Sequence, residues 1–164
     1  MKKSLLVILA LFAVMTVKAQ WYVGGGFSAE FFENYNALNI CPDFGYTFEN
    51  VPFTIGISPE FDFQQDKFHG DSFQVETISL SPYLRYYFYE IDRFSLFTDL
   101  IGSVRVFGDN GWDIGLSSGV SFDLTEHWSA EFCYGWIGYE QYEEKGFSVL
   151  MDASTAKVAF YYNF

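Results

Sequence analysis

The chain has 164 residues, half of them hydrophobic and 22% aromatic, with 14 glycines and a formal net charge of −12 at pH 7. So acidic a chain repels the phosphate backbone, which argues against nucleic-acid binding, and its length and even composition fit one domain without a linker. Rings and glycines in quantity, without alanine-rich helical stretches, are the material of strands and turns, so the expected class is all-β.

The first element is a leader. Lys2 and Lys3, an apolar run from Leu5 to Val14, and Val17-Lys18-Ala19 ahead of Gln20 read as a cleaved secretory signal peptide over 1–19, leaving a domain of 20–164. The apolar run is shorter than the roughly 20 residues that a spanning helix needs. No comparable run follows, so any membrane segment downstream is expected to be β. The leader carries three lysines and no acid, so its loss takes the net charge from −12 to −15.

From Gln20 onward an alternation of period two recurs eight times, near 20–31, 39–48, 51–63, 74–89, 94–107, 112–124, 128–139 and 148–164. Short links at Glu49-Asn50, Glu90 to Arg93 and Thr125 to His127 alternate with longer ones at Phe32 to Leu38, Gln64 to Phe73 and Glu140 to Phe147, while Gly108 to Gly111 makes a tight hairpin. This predicts an eight-stranded antiparallel up-and-down transmembrane β-barrel, with the short turns periplasmic and the long loops outside. Pro42, Pro59 and Pro82 fall inside predicted strands, where each removes a ladder donor, so bulges or strand ends are expected there.

Side-chain size decides which face is outside. One parity collects Phe53, Ile55, Ile57, Phe61 and Phe63, then Ile78, Leu80, Leu84, Tyr86 and Phe88, and on through Leu96, Leu100, Ile114, Leu116, Phe122, Trp128, Phe132, Tyr134 and Trp136. An eight-stranded interior is only just wide enough for side chains, so this set must face lipid. A soluble carrier with its bulky face inward is thereby disfavoured. The other parity is small and polar, as in Gly24, Gly26 and Ser28, or Gly115, Ser117, Gly119 and Ser121. Aromatic rings gather at the strand ends as interfacial belts: Trp21, Tyr86, Tyr87, Tyr89, Trp128 and Tyr162 at one rim, and Trp112, Trp136, Tyr139 and Tyr142 towards the other.

The inward parity also collects the charges Asp43, Glu60, Asp62, Arg85, Asp99, Arg105, Asp113, Asp123, Glu131 and Lys157. Facing lipid, an Arg or Lys at mid-depth would cost about 2–4 kcal/mol. A lumen network of Glu60, Asp62, Arg85, Asp99, Arg105, Glu131 and Lys157 is expected, structural or gating in role, with each of the three bases held by carboxylates and the pore blocked. Intramembrane charge also suits an ion or proton path, which is the rival reading. Catalysis at the outer surface would rest on His69 to Ser72 (HGDS), an imidazole, a carboxylate and a hydroxyl close together. The other histidine, His127, sits in a predicted periplasmic turn. The chain is read as no enzyme, with no cofactor and no metal: Cys and His spacing suits no zinc site. Cys41 and Cys133 fall on strands two and seven, which are not neighbours, so two separate thiols are favoured over a disulfide.

The terminal KVAFYYNF, Lys157 to Phe164, alternates Val158, Phe160, Tyr162 and Phe164 with Lys157, Ala159, Tyr161 and Asn163. With the leader and the lumen charges, it makes the chain resemble the small eight-stranded outer-membrane barrels. These are the OmpA-type transmembrane domain, the OmpX-like and opacity-type proteins, and the outer membrane protein beta-barrel domain or porin family. The resemblance spans 20–164 and implies a bacterial outer-membrane location. It also implies outer-membrane lipids, lipopolysaccharide and the barrel-assembly machinery as partners, and outer loops open to a surface ligand. The peptidoglycan-binding domain that follows the barrel in OmpA is not found in the sequence, so no cell-wall tether is implied.

Overall fold

A computed structural model describes residues 19–31, 35–66, 74–108, 110–142, 145–151 and 155–164. The predicted leader lies, but for Ala19, outside the described residues, as do His69 and Ser72. Nine strands account for nearly all of what is described: β1 (Ala19–Phe31), β2 (Tyr35–Phe48), β3 (Phe53–Asp66), β4 (Gln74–Ile91), β5 (Phe94–Phe107), β6 (Trp112–Asp123), β7 (Trp128–Gln141), β8 (Lys145–Leu150) and β9 (Lys157–Asn163). Consecutive strands β1 to β7 pair antiparallel, β9 joins β7 to β1, and the ring closes. β8 and β9 lie end to end along β7, β8 against Trp136 to Gln141 and β9 against Trp128 to Cys133. Together they form the eighth wall position of an eight-stranded barrel, where one continuous strand is predicted.

Alternation sets inside from outside as expected. Along β4, Arg85 is 3% exposed while its neighbours Leu84 and Tyr86 are each 40% exposed, because successive side chains point to opposite faces. The outer surface is a belt of large apolar side chains that continues round every strand, far beyond the few hundred Å² of apolar patch that a soluble monomer shows. Such a surface suits hydrocarbon, and the ring closed by β9 between β7 and β1 satisfies the backbone there by pairing strands. The buried side chains line the lumen instead of filling a layer between sheets.

Four departures from the predicted pattern have local causes. The loop expected over Phe32 to Leu38 is shorter, because β2 already begins at Tyr35 and pairs with Asp66. At the prolines the ladder has gaps without slipping register. β2–β3 pairing stops at Ile40↔Phe61 and resumes at Phe44↔Ile57, with Pro42 and Pro59 between, and β4–β5 pairing skips Pro82 between Leu80↔Val104 and Tyr83↔Ile101. Proline removes a donor without inserting a residue, so neither a bulge nor a strand end follows. Ser58 donates its hydroxyl to the Pro42 carbonyl at 3.0 Å, in place of a missing rung.

The third departure is a true bulge. β6–β7 register shifts between Leu116↔Ile137 and Ser118↔Tyr134, where Gly135 has φ +87°. The extra residue reverses parity, so Trp136 turns into the lumen, against Gly115 and Gly138, and Ile137 takes the lipid-facing position predicted for Trp136. At that φ only glycine is unstrained. Gly135→Ala is expected to cost about 1–2 kcal/mol in urea unfolding of the refolded barrel, while the isosteric control Ser118→Ala, whose hydroxyl is exposed, stays within about 0.5 kcal/mol. Finally, Tyr87 and Tyr142 leave the predicted belts for the lumen, where each meets an arginine.

Candidate functional site

The lumen holds two polar layers. The layer nearer the chain termini is built on Arg85 of β4. Its partner Asp99 stands directly opposite on β5, so the ladder itself presents the fork: Nε reaches Oδ1 at 2.8 Å and Nη2 reaches Oδ2 at 2.9 Å. The third nitrogen crosses the barrel, Nη1 donating to Glu131 Oε1 of β7 at 2.6 Å. The guanidinium carbon lies over the fully buried Phe97, 3.7 Å from the ring centroid, with Tyr83 and Tyr87 at 5.6 and 5.9 Å. Planarity and five donors let arginine pair two carboxylates and stack at once, which lysine cannot do.

Beside this cluster, Asp43 of β2 accepts the Tyr83 hydroxyl at 3.0 Å and the Tyr161 hydroxyl at 3.0 Å. Tyr83 also shares a hydrogen bond with the Tyr22 hydroxyl. Tyr22, Tyr83 and Tyr161 pack together as the main buried cluster. A Cβ on Gly56 would fall on the Tyr83 ring, so the glycine makes room for the phenol to cross the lumen. Three carboxylates thus surround one guanidinium, and Glu131 Oε2 has no hydrogen-bond partner among the described residues.

The second layer is looser. Lys157 Nζ of β9 reaches Glu60 Oε2 of β3 at 3.0 Å across the barrel. Asp62 accepts from Asn39 Nδ2 at 2.7 Å and Thr77 Oγ1 at 2.6 Å, so neutral donors hold it. Arg105 departs from expectation: among the described residues no carboxylate comes within ion-pair reach, and its Cζ stacks 3.9 Å from the Tyr142 ring centroid. The Tyr142 hydroxyl in turn donates to Asp113. Of the seven predicted network residues, the fold therefore joins Arg85, Asp99 and Glu131 in one cluster and Lys157 with Glu60 in another. Asp62 and Arg105 stand beside the second cluster on other partners.

Between the layers is a chamber of about 450 Å³, lined by residues of both, among them Arg85, Tyr161, Glu60, Arg105 and Lys157. Vestibules of about 750 Å³ on the terminal side and about 680 Å³ on the other open towards the two ends of the barrel. The lumen is thus three spaces in series divided by two side-chain partitions.

Cys41 and Cys133 are both unbridged and line the chamber. His127 sits in the β6–β7 turn with Nδ1 3.1 Å from the Asn163 carbonyl and its ring beside Tyr162, pinning the end of β9. The inward rings Tyr22, Tyr83, Phe97, Tyr161 and Trp136 were not picked out as lumen residues by sequence. For the first four the signal was present: Tyr22 shares parity with Gly24, Tyr83 with Arg85, Phe97 with Asp99 and Tyr161 with Lys157.

No protein-family model matches the chain, and no curated protein sequence matches it. Solved structures do. The outer membrane protein Ail of Yersinia pestis, in a phospholipid bilayer nanodisc, aligns at TM-score 0.50 and 14% identity over 89% of this chain and 98% of Ail. A de novo designed transmembrane β-barrel aligns at TM-score 0.45 and 10% identity over 89% and 94% of the two chains. The KdgM porin, in complex with disordered oligogalacturonate, aligns at 0.28 and 11% over 88% and 99%. The likeness to Ail is one of fold: a closed antiparallel eight-stranded barrel.

Proposed function

We propose that this chain is a non-enzymatic integral protein of the bacterial outer membrane, exported through a cleaved leader. In this reading its lumen is closed by charge, and it serves envelope integrity or contacts surface ligands through its outer loops. The observation that carries the reading is the Arg85 layer: one guanidinium fixed to β4, β5 and β7 at once and roofed by rings, a partition with a high cost of opening. The apolar belt supports residence in lipid, and the outer-membrane setting of Ail, which shares the fold, supports the location. Lipopolysaccharide and lipid would surround the barrel, and the barrel-assembly machinery would recognise the terminal KVAFYYNF. Neither nucleic acid nor a cofactor enters the reading.

The refolded mature chain, once a heat-modifiable gel shift shows a closed barrel, is expected to give no stable single-channel steps in planar bilayers. Reproducible ion-selective steps would replace this reading with a narrow channel, the rival favoured by the chamber and vestibules lying in series. Lipid A from cells producing the chain is expected to keep its mass. A new mass that disappears with His69→Ala or Ser72→Ala would assign an enzyme instead.

A further inference from the structure

The Arg85 layer forms the inner end of the vestibule on the side of the chain termini, a space of about 750 Å³. Five carboxylates line it, those of Glu49, Glu90, Asp92, Asp123 and Glu131, against the guanidinium of Arg85, a difference of four negative charges. Arg85 is already taken up by Asp99 and Glu131. One of the five carboxylates points to a ligand. Glu131 is 5% exposed, and its Oε1 accepts from Arg85, while its Oε2 is buried without a hydrogen-bond partner among the described residues. A carboxylate oxygen shut off from water and lacking a donor is costly. A cation carrying N–H donors, arriving through the vestibule that Glu131 lines, would satisfy it.

The ladder sets further acceptors beside this oxygen. Ser121 of β6 stands directly opposite Glu131, and the next inward rung pairs Asp123 with Ser129. All four side chains line the vestibule, the two serines buried and Asp123 exposed nearer the mouth. A primary ammonium has three donors, enough for Glu131 Oε2 and the two hydroxyls. Residues on the diagonal that joins Glu131 to Asp123 lie about 7–8 Å apart, a spacing for successive charges and not for one ion. Glu49 and Asp92 follow in the β2–β3 and β4–β5 turns, so the carboxylates run from floor to mouth instead of converging on a point. Tyr22, Tyr87 and Tyr161 line the same space, offering rings against which methylene and ammonium groups can rest.

We propose that the vestibule on the terminal side binds a linear polyamine. Its leading ammonium sits on Glu131 Oε2 with Ser121 and Ser129, and the ammonium groups that follow lie on Asp123 and the carboxylates of the mouth. The unpaired oxygen selects a donor-bearing head, and the string of carboxylates selects a chain with charges in series.

The test is isothermal titration calorimetry of spermine into the full mature chain refolded in zwitterionic bilayers. Saturable binding of one spermine per barrel is expected, with n-butylammonium at least tenfold weaker. Glu131→Gln, with its heat-modifiable mobility intact, is expected to weaken spermine binding at least tenfold. Because that change also touches the Arg85 layer, the paired Glu90→Gln, Asp123→Asn variant, confined to exposed side chains, gives a second reading and is expected to weaken binding at least threefold. Glu76→Gln, an exposed carboxylate of the opposite vestibule, is expected to leave binding unchanged. The proposal is overturned by the lack of saturable binding, by n-butylammonium or magnesium ion binding as tightly as spermine, by undiminished binding in Glu131→Gln or in the paired variant, or by an equal loss in Glu76→Gln. Whether the lumen conducts bears on none of these outcomes.

Discussion

Arg85→Met is expected to lower the unfolding free energy of the lipid-refolded barrel by about 3–5 kcal/mol, measured by urea titration of the folded gel band. The side chain is 3% exposed, and its two partners Asp99 and Glu131 are each 5% exposed, so removing the guanidinium leaves two carboxylates in a site that water barely reaches. Removing one partner of a buried pair costs more than the pair ever contributed, because the charge left behind has lost its hydration. Combining Arg85→Met with Asp99→Asn and Glu131→Gln should recover most of the loss. If the triple variant is as weak as the single, the ring contacts to Phe97 and the tyrosines, and not the charges, hold the layer together. Arg85→Lys should fall between the two, since an ammonium keeps the charge but cannot bridge Asp99 in a fork while reaching Glu131.

The second large effect is expected at Phe97, which is completely buried. Phe97→Ala should cost about 3–5 kcal/mol by the same measurement, the usual range for removing a buried ring. The ring touches the space above Gly119 on the next strand and carries the Arg85 guanidinium on its face, so its loss leaves a cavity and frees the ion-paired cluster from below. Phe97→Leu refills much of the volume without a π face and should cost about 1.5 kcal/mol or less if volume is what matters. An equal loss in both variants would show that the cation–π contact dominates. Bilayer recordings of Phe97→Ala test the partition as well: loss of its floor should produce brief conducting events that the parent chain lacks.

The barrel was legible because its two governing signals are periodic and redundant. Eight alternating segments, each with a bulky and a small face, specify strand count, pairing order and outward face together, and no single misplaced residue disturbs that pattern. Irregularities that depend on one residue were harder to read. Gly135 looks like any strand glycine until its neighbours show that parity reverses there, which is why Trp136 was expected in the belt. The lumen tyrosines are harder to read, because the volume limit sends most rings outward without saying which few stay in; glycines such as Gly56, paired directly with Tyr83 on the next strand, open the space for them. The charges were placed on the correct face by parity, but parity cannot pair them. Arg85 with Glu131, and Lys157 with Glu60, meet across the lumen, and only the closed ring brings those strands to opposite sides of one narrow bore.

The division of the eighth wall position also bears on how the molecule comes together and apart. Six residue pairs tie β1 to β9, against thirteen between β1 and β2, so the ladder that turns a curled sheet into a ring is among its shortest. Cooperative units open in order of the contacts that hold them. Amide deuteration should therefore begin along β8, which among the described residues is tied to β7 alone, and reach the β9 segment next, while the β4–β5 hairpin behind Arg85 and Phe97 remains protected. Assembly in the order of ladder length would form the long meander first and dock the terminal segment last, since Lys157 and Tyr161 reach Glu60 and Asp43 only across the completed circle. Those two long-range contacts need the closed ring, so closure and their formation are one event, whereas the Arg85–Asp99 fork rests on neighbouring strands.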